Sequence, residues 1–208
     1  MHLFLIRHAQ SCQNADLKGD WHPDDAPLTA TGLYQAERLA LREDLQDVDA
    51  IYASTLLRAA QTAFPLAKRL GKSVALLGDA VERDTAIAGT PRELLLREVP
   101  CAEWADQTPR EPSPEETPEM LRLRARRLID RIVAASGEND RVALVTHCAF
   151  FGYPLRYLLH IPEDEPFAWK VDNASVTHVE LRGDAPPLLH CANDRGHLFT
   201  PAGESPAE

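Results

Sequence analysis

A chain of 208 residues with 44% hydrophobic residues can bury a core of its own, as one large domain or two small ones. Its 32 acidic against 22 basic residues leave a formal net charge of −10, which argues against a nucleic-acid backbone as partner but leaves room for a small anion at a locally basic site. No apolar run approaches the roughly 18 residues that span a bilayer, Arg7-His8 interrupts the first apolar stretch too early for an export signal, and four scattered cysteines form no C-x-x-C pair. The expectation is a soluble cytoplasmic protein with reduced thiols.

Residues 3–6 (LFLI) read as a short buried strand that runs into Arg7-His8. A helix follows in LTATGLYQAERLALRED, with Thr29 or Thr31 as cap and Leu33, Ala36, Leu39 and Ala40 recurring at helical spacing. Residues 48–54 (VDAIYAS) form a second strand candidate. The next helix places Leu56, Ala60, Ala63, Phe64, Ala67 and Leu70 on one face, and Gly71 stands where a terminating glycine belongs. Pro65 makes a kink or break possible there. Residues 73–77 (SVALL) make a third strand.

Residues 79–119 differ in character, with prolines and acids crowded towards their end. About 83–118 read as an inserted, lid-like excursion or as an ordinary surface insertion. A long helix resumes with Leu121, Ala125, Leu128 and Ile132 in register. RVALVTH (141–147) is the clearest strand, AFFGYPLRYLLH looks helical despite Pro154, and 174–181 and 187–193 are late strands. Residues 199–208 read as a disordered tail. Alternating strands and helices predict an α/β fold: a three-layer α/β/α sandwich with a mostly parallel central sheet, as a single domain over 1–198.

In such sheets ligands sit beyond the carboxyl ends of the strands. The residues found there are Arg7 and His8, then Arg58, then Asp79, Glu82, Arg83 and Asp84, then His147. Arginine forks match phosphate oxygens and stay charged at any working pH. Histidine can act as nucleophile, acid or base near neutrality, and a carboxyl group can donate to a leaving oxygen. Together these make a phosphoryl-transfer site that needs neither metal nor cofactor. Other phosphatase chemistries lack their residues. No cysteine is followed at the sixth position by arginine, DVDAI precedes a strand instead of following one, and no G-x-x-x-x-G-K-[ST] loop exists.

In combination, LIRHAQS, LTATGLYQA, ASTLLRAAQTA and LVTHCAFFG resemble the sequence blocks of the histidine phosphatase (phosphoglycerate mutase-like) superfamily. NASVTHVEL and NDRGHL resemble its closing strands, so the likeness spans about residues 3–198. The resemblance implies a phosphoglycerate mutase-like fold and specific roles. His8 would be the nucleophile, Arg7 and Arg58 would clamp the phosphoryl oxygens, His147 would complete the pocket and Asn14 would add a polar contact. A glutamate would be the proton donor. Glu82 suits the layout directly after the third strand, while Glu98, in LLREVPCAEW, matches the local pattern. Ala9-Gln10 and Cys148-Ala149 depart from the commonest pattern without touching a presumed catalytic side chain.

The implied activity is a phosphomonoester hydrolase working through phosphohistidine. A phosphoglycerate-type mutase and a catalytically weak phospho-ligand-binding protein are the alternatives. The short chain favours hydrolysis, since mutases of this family carry longer insertions and tails. The substrate would be a phosphorylated small molecule or a phosphoprotein, with neither nucleic acid nor membrane as partner. His2, His22, His160 and His178 read as surface or packing residues. The run HCANDRGH, with His190, Cys191, Asp194 and His197, is read as a closing strand ahead of a metal site.

Overall fold

Strand alternation builds the layers. The computed structural model describes residues 1–106, 111, 113–162, 165 and 168–199. In its first strand, β1 (His2–Arg7), Leu3 and Leu5 turn to one side and Phe4 and Ile6 to the other, all fully buried. A strand buried on both faces belongs at the centre of a covered sheet. The neighbouring strands are β2 (Ala50–Ser54), β3 (Val74–Leu77), β4 (Ala102–Trp104), β5 (Arg141–Thr146), β6 (Val176–Arg182) and β7 (Ala185–Asp194). Their order is β4-β3-β2-β5-β1-β6-β7. The pairs from β4 through β1 are parallel, and β6 runs against both its neighbours.

Phe4 and Ile6 share their core with α1 (Ala30–Leu39), α2 (Leu57–Leu70) and α3 (Arg92–Glu98). Leu3 and Leu5 share theirs with α4 (Pro118–Ala134) and α5 (Cys148–Leu158). The expected three-layer α/β/α sandwich is therefore the observed one. Each fully buried Leu, Ile or Phe contributes roughly 1.5–3 kcal/mol of transfer free energy, so the two apolar sheet faces dominate what holds the layers.

Local signals explain the helix ends. Thr29 Oγ1 accepts from Gly32 N at 3.0 Å, and Thr117 Oγ1 accepts from Met120 N at 3.2 Å with Pro118 in the first turn. Gly71 ends α2 at φ 64°, a conformation that glycine adopts without strain. The break that Pro65 made possible does not occur, and Pro154 likewise lies inside a continuous helix, as read from the sequence. Leu33, expected on the buried face of α1, is half exposed, and Gly32 takes the buried position. A Cβ on Gly32 would come within 2.0 Å of the Gln10 carbonyl oxygen, so glycine lets α1 press against the loop after His8.

The region expected as an excursion carries α3 and β4, and β4 extends the sheet beside β3. The sequence reading missed this strand because AEW is three residues long and follows Pro100 closely. Residues 107–110 and 112 of this region, and 200–208 of the expected tail, lie outside the described residues.

Candidate active site

The parallel strands bring the sequence-predicted groups to one edge of the sheet. His8 follows β1, and its N–H donates to the Thr146 carbonyl at the end of β5, at 2.9 Å. Ala9 N donates to Thr62 Oγ1 at 3.0 Å, and that hydroxyl donates to the Arg58 carbonyl at 2.7 Å. The loop after β1 is thereby pinned to the first turns of α2. His8 Nδ1 lies 2.7 Å from the Ala9 carbonyl oxygen, so Nδ1 carries the proton and Nε2 keeps its lone pair. Arg58 Nε donates to that Nε2 at 3.3 Å. His8 is only 2% exposed. Burial, then the charges of Arg58 and Arg7, hold it well below the ordinary histidine pKa of 6.5, against a smaller opposing pull from the Ala9 carbonyl.

Arg58 stands in the first turn of α2 and is itself buried. Leu56 caps α2 without a side-chain acceptor. Asp25, from the loop after β1, serves instead: its Oδ1 accepts from Leu57 N at 2.8 Å and from Thr90 Oγ1 at 2.9 Å. Arg58 also donates to the Asp24 carbonyl. Burial lowers the Arg58 pKa, opposed by the charges of Glu82, Asp25 and Asp24. Arg7 donates from one terminal nitrogen to the Val171 carbonyl at 2.7 Å, while its buried Nε has no partner among the described residues.

His147 ends β5 and precedes α5. Its ring is fully buried, lies 5.0 Å from the His8 ring at 54°, and neither of its nitrogens has a partner among the described residues. Burial first, then Arg58 and His8, hold it well below 6.5. Two buried neutral imidazoles beside two guanidinium groups make a cluster that favours an anion. The N-terminal ends of α2 and α5 add their partial positive charge to the same edge.

Glu82 reaches this edge from the turn after β3. Its Oε1 accepts from Phe150 N at 2.9 Å and its Oε2 from Ala149 N at 3.1 Å, just past His147. Glu98 sits at the end of α3, where it accepts from Gln61 at 3.4 Å and pairs with Arg97. Asn14 lies on the exposed loop, its Oδ1 accepting from Ser11 N and from Asn173 Nδ2.

Several supporting residues escaped the sequence reading. Asn173 Nδ2 also donates to the His8 carbonyl at 3.0 Å. Arg124 is 2% exposed, pairs with Glu116 at 2.7 Å and donates to the carbonyls of Asp79 and Val81, which fixes the turn leading into Glu82. Thr146 Oγ1 donates to Ala80 O on the same turn. A lone arginine among those of RLRARRL, or an aspartate in DDAP, gives no sequence signal of such a role. The available hint was only their type: buried arginine and aspartate occur paired.

The model of the histidine phosphatase superfamily (branch 1) matches residues 3–194. The chain belongs to this superfamily. A Yersinia enterocolitica protein named "Probable phosphoglycerate mutase GpmB" is 29% identical, over 97% of each chain. Among solved structures, a mycobacterial glucosyl-3-phosphoglycerate phosphatase complexed with VO3 superposes with a TM-score of 0.70 at 24% identity, covering 93% of this chain and 99% of that one. A mutant phosphoserine phosphatase from Entamoeba histolytica, in complex with phosphoserine, gives 0.66 at 23%, covering 95% and 99%. At these identities the likeness to solved structures speaks for the fold. No described helix is long and apolar enough to cross a membrane.

Proposed function

We propose that this superfamily member is a cytoplasmic phosphomonoester hydrolase that works through a phosphohistidine on His8. The observation that carries the reading is the state of His8. One nitrogen is committed to the Ala9 carbonyl, and the other stays unprotonated beside Arg58 in a pocket of guanidinium charge. Its four cysteines are free thiols, which supports a reducing compartment.

In the first step the His8 Nε2 lone pair attacks phosphorus, the P–O ester bond breaks, and the leaving alkoxide takes a proton from Glu82. In the second, water gives a proton to Glu82 and attacks phosphorus, the P–N bond breaks, and phosphate leaves with Nε2 restored. Arg7, Arg58 and His147 face the equatorial oxygens, where charge is held in the transition state. The arginines supply the positive charge that the transfer requires. A depressed histidine pKa suits a nucleophile, since the attacking form persists below neutrality. Substrate choice falls to residues 10–27 and 85–119, and the substrate class is a phosphorylated small molecule or a phosphoprotein.

The name of the Yersinia relative favours a second reading, transfer of the phosphoryl group back to a bound phosphoglycerate. One experiment addresses both. The protein is mixed with an aryl phosphate in chelator, quenched in alkali, and its intact mass measured while free phosphate is assayed. An alkali-stable, acid-labile phosphoryl adduct that is absent from His8→Ala, together with steady phosphate release, supports hydrolysis. An adduct without phosphate release, but with isomerisation of phosphoglycerate, moves the conclusion to the mutase. Turnover without any adduct, or turnover retained by His8→Ala, sinks the mechanism.

A further inference from the structure

The opposite end of β1 holds a second group of histidines, roughly 20 Å from His8 at about 3.3 Å per residue. His2 opens β1, His178 lies on β6 and His190 on β7. One ring nitrogen from each lies within 4.8 Å of the other two. His2 Nδ1 and His178 Nε2 are 3.0 Å apart. His190 Nε2 lies 2.8 Å from Glu180 Oε2. His2 pairs in register with Glu180, which puts both on the sheet face that carries His178.

The backbone is irregular where His190 enters. β6 and β7 pair His178 with Cys191 but Val179 with Leu189, so His190 is the extra residue of a bulge. A bulge re-aims a side chain out of the regular alternation. Here it lays the His190 ring over His178, with centroids 4.3 Å apart and planes at 13°. Residues Asp194 and His197 of the same run go elsewhere, both to Arg42. The run HCANDRGH is therefore split, and the first of its two histidines, His190, meets two others that no sequence spacing links to it.

We infer that His2, His178 and His190, with Glu180, form a binding site for a borderline divalent cation such as zinc. Three imidazoles match the protein-ligand count and donor type of a three-histidine zinc site whose fourth position is left to water. Neutral imidazole is the ligating form. A carboxylate bonded to a ligating histidine is the common outer support of such sites. Two adjustments complete the site. The donor of the His2–His178 hydrogen bond moves its proton to its other nitrogen. The half-exposed His190 ring turns about χ2, because stacked planes aim their lone pairs alongside each other. The opposing charges are Arg141, which is paired with Asp47 at 2.7 Å and bonded to the Asp44 carbonyl, and the Met1 ammonium, which donates to the Glu138 and Leu181 carbonyls.

The test uses the untagged, chelator-treated full chain and zinc chloride in a calorimetric titration, with cobalt(II) as a spectroscopic probe. The expected result is one zinc per chain and visible cobalt bands of a tetrahedral site. His190→Ala should lose the bands and weaken binding at least about tenfold, and Glu180→Gln should weaken it about tenfold. His8→Ala should bind as the intact chain does. His190 is on the edge strand and half exposed, so its removal spares the core, and circular dichroism checks the fold. Absence of saturable binding by the intact chain overturns the proposal. So does binding that survives His190→Ala unchanged or that disappears in His8→Ala, since either would put the metal elsewhere.

Discussion

The two ends of β1 present the same side chain to opposite chemistries. At the carboxyl end, His8 and His147 are sealed among Arg7 and Arg58, with the starts of α2 and α5 nearby. At the amino end, His2, His178 and His190 sit beside the carboxylate of Glu180, on the edge where β6 and β7 close the sheet. Imidazole alone distinguishes neither end. Guanidinium neighbours and helix starts make the first a place for an anion, and a carboxylate with converging neutral nitrogens makes the second a place for a cation. A parallel sheet creates this polarity, because every strand delivers its following loop to the same edge.

The sharpest break in the comparison is removal of the nucleophile. His8→Ala should lower kcat on an aryl phosphate by about 10⁴-fold or more, measured with the chelated enzyme. Glu82→Gln comes next, at about 10²- to 10⁴-fold, and larger for alkyl than for aryl esters because poor leaving groups need the proton most. Glu98→Gln, measured beside it, should stay within about twofold, and the reverse ranking would transfer the donor role. Arg58→Lys keeps the charge but loses the fork, and should cost about 10²- to 10³-fold in kcat/KM.

The smallest effect is on stability, and it involves both ends. His8 and His147 are held well below 6.5, and His178 is lowered to about 4. In the unfolded chain these rings take up protons as pH falls through about 6.5, while the folded protein keeps them neutral. The unfolded state then binds more protons. Stability is full above 6.5 and declines as pH falls from there towards 4. Calorimetric Tm at pH 7.5 and at pH 5 should show this fall. Added inorganic phosphate should offset the share due to His8 and His147, and His178→Gln should remove the other share. A Tm that rises on acidification would contradict the neutral assignment at both ends.

Much of the carboxyl end was legible in the primary structure. LFLI and RVALVT are buried strands by composition, and the groups after them, Arg7-His8 and His147, must meet if the strands run parallel. Arg58 was legible for the same reason, since it opens the helix after β2. The choice between Glu82 and Glu98 was not, because both are carboxylates near a plausible position. Only the turn fixed by Arg124 and the free N–H groups at the start of α5 bring Glu82 to the pocket's edge. Asp25 as the distant cap of α2 was equally hidden, since its partner lies 32 residues away.

Local pattern alone thus indicated most of the strands and helices, the sandwich and the chemical character of the strand ends. Those follow from periodicity and from backbone preferences that act within a few residues. Tertiary structure decided that Glu82 lies against the start of α5 while Glu98 lies beside Gln61, that AEW adds an edge strand, and that His2, His178 and His190 meet. Each of these depends on register between segments far apart in the chain. A single bulged residue changes which side chains share a face, and no window of sequence around it reports the change.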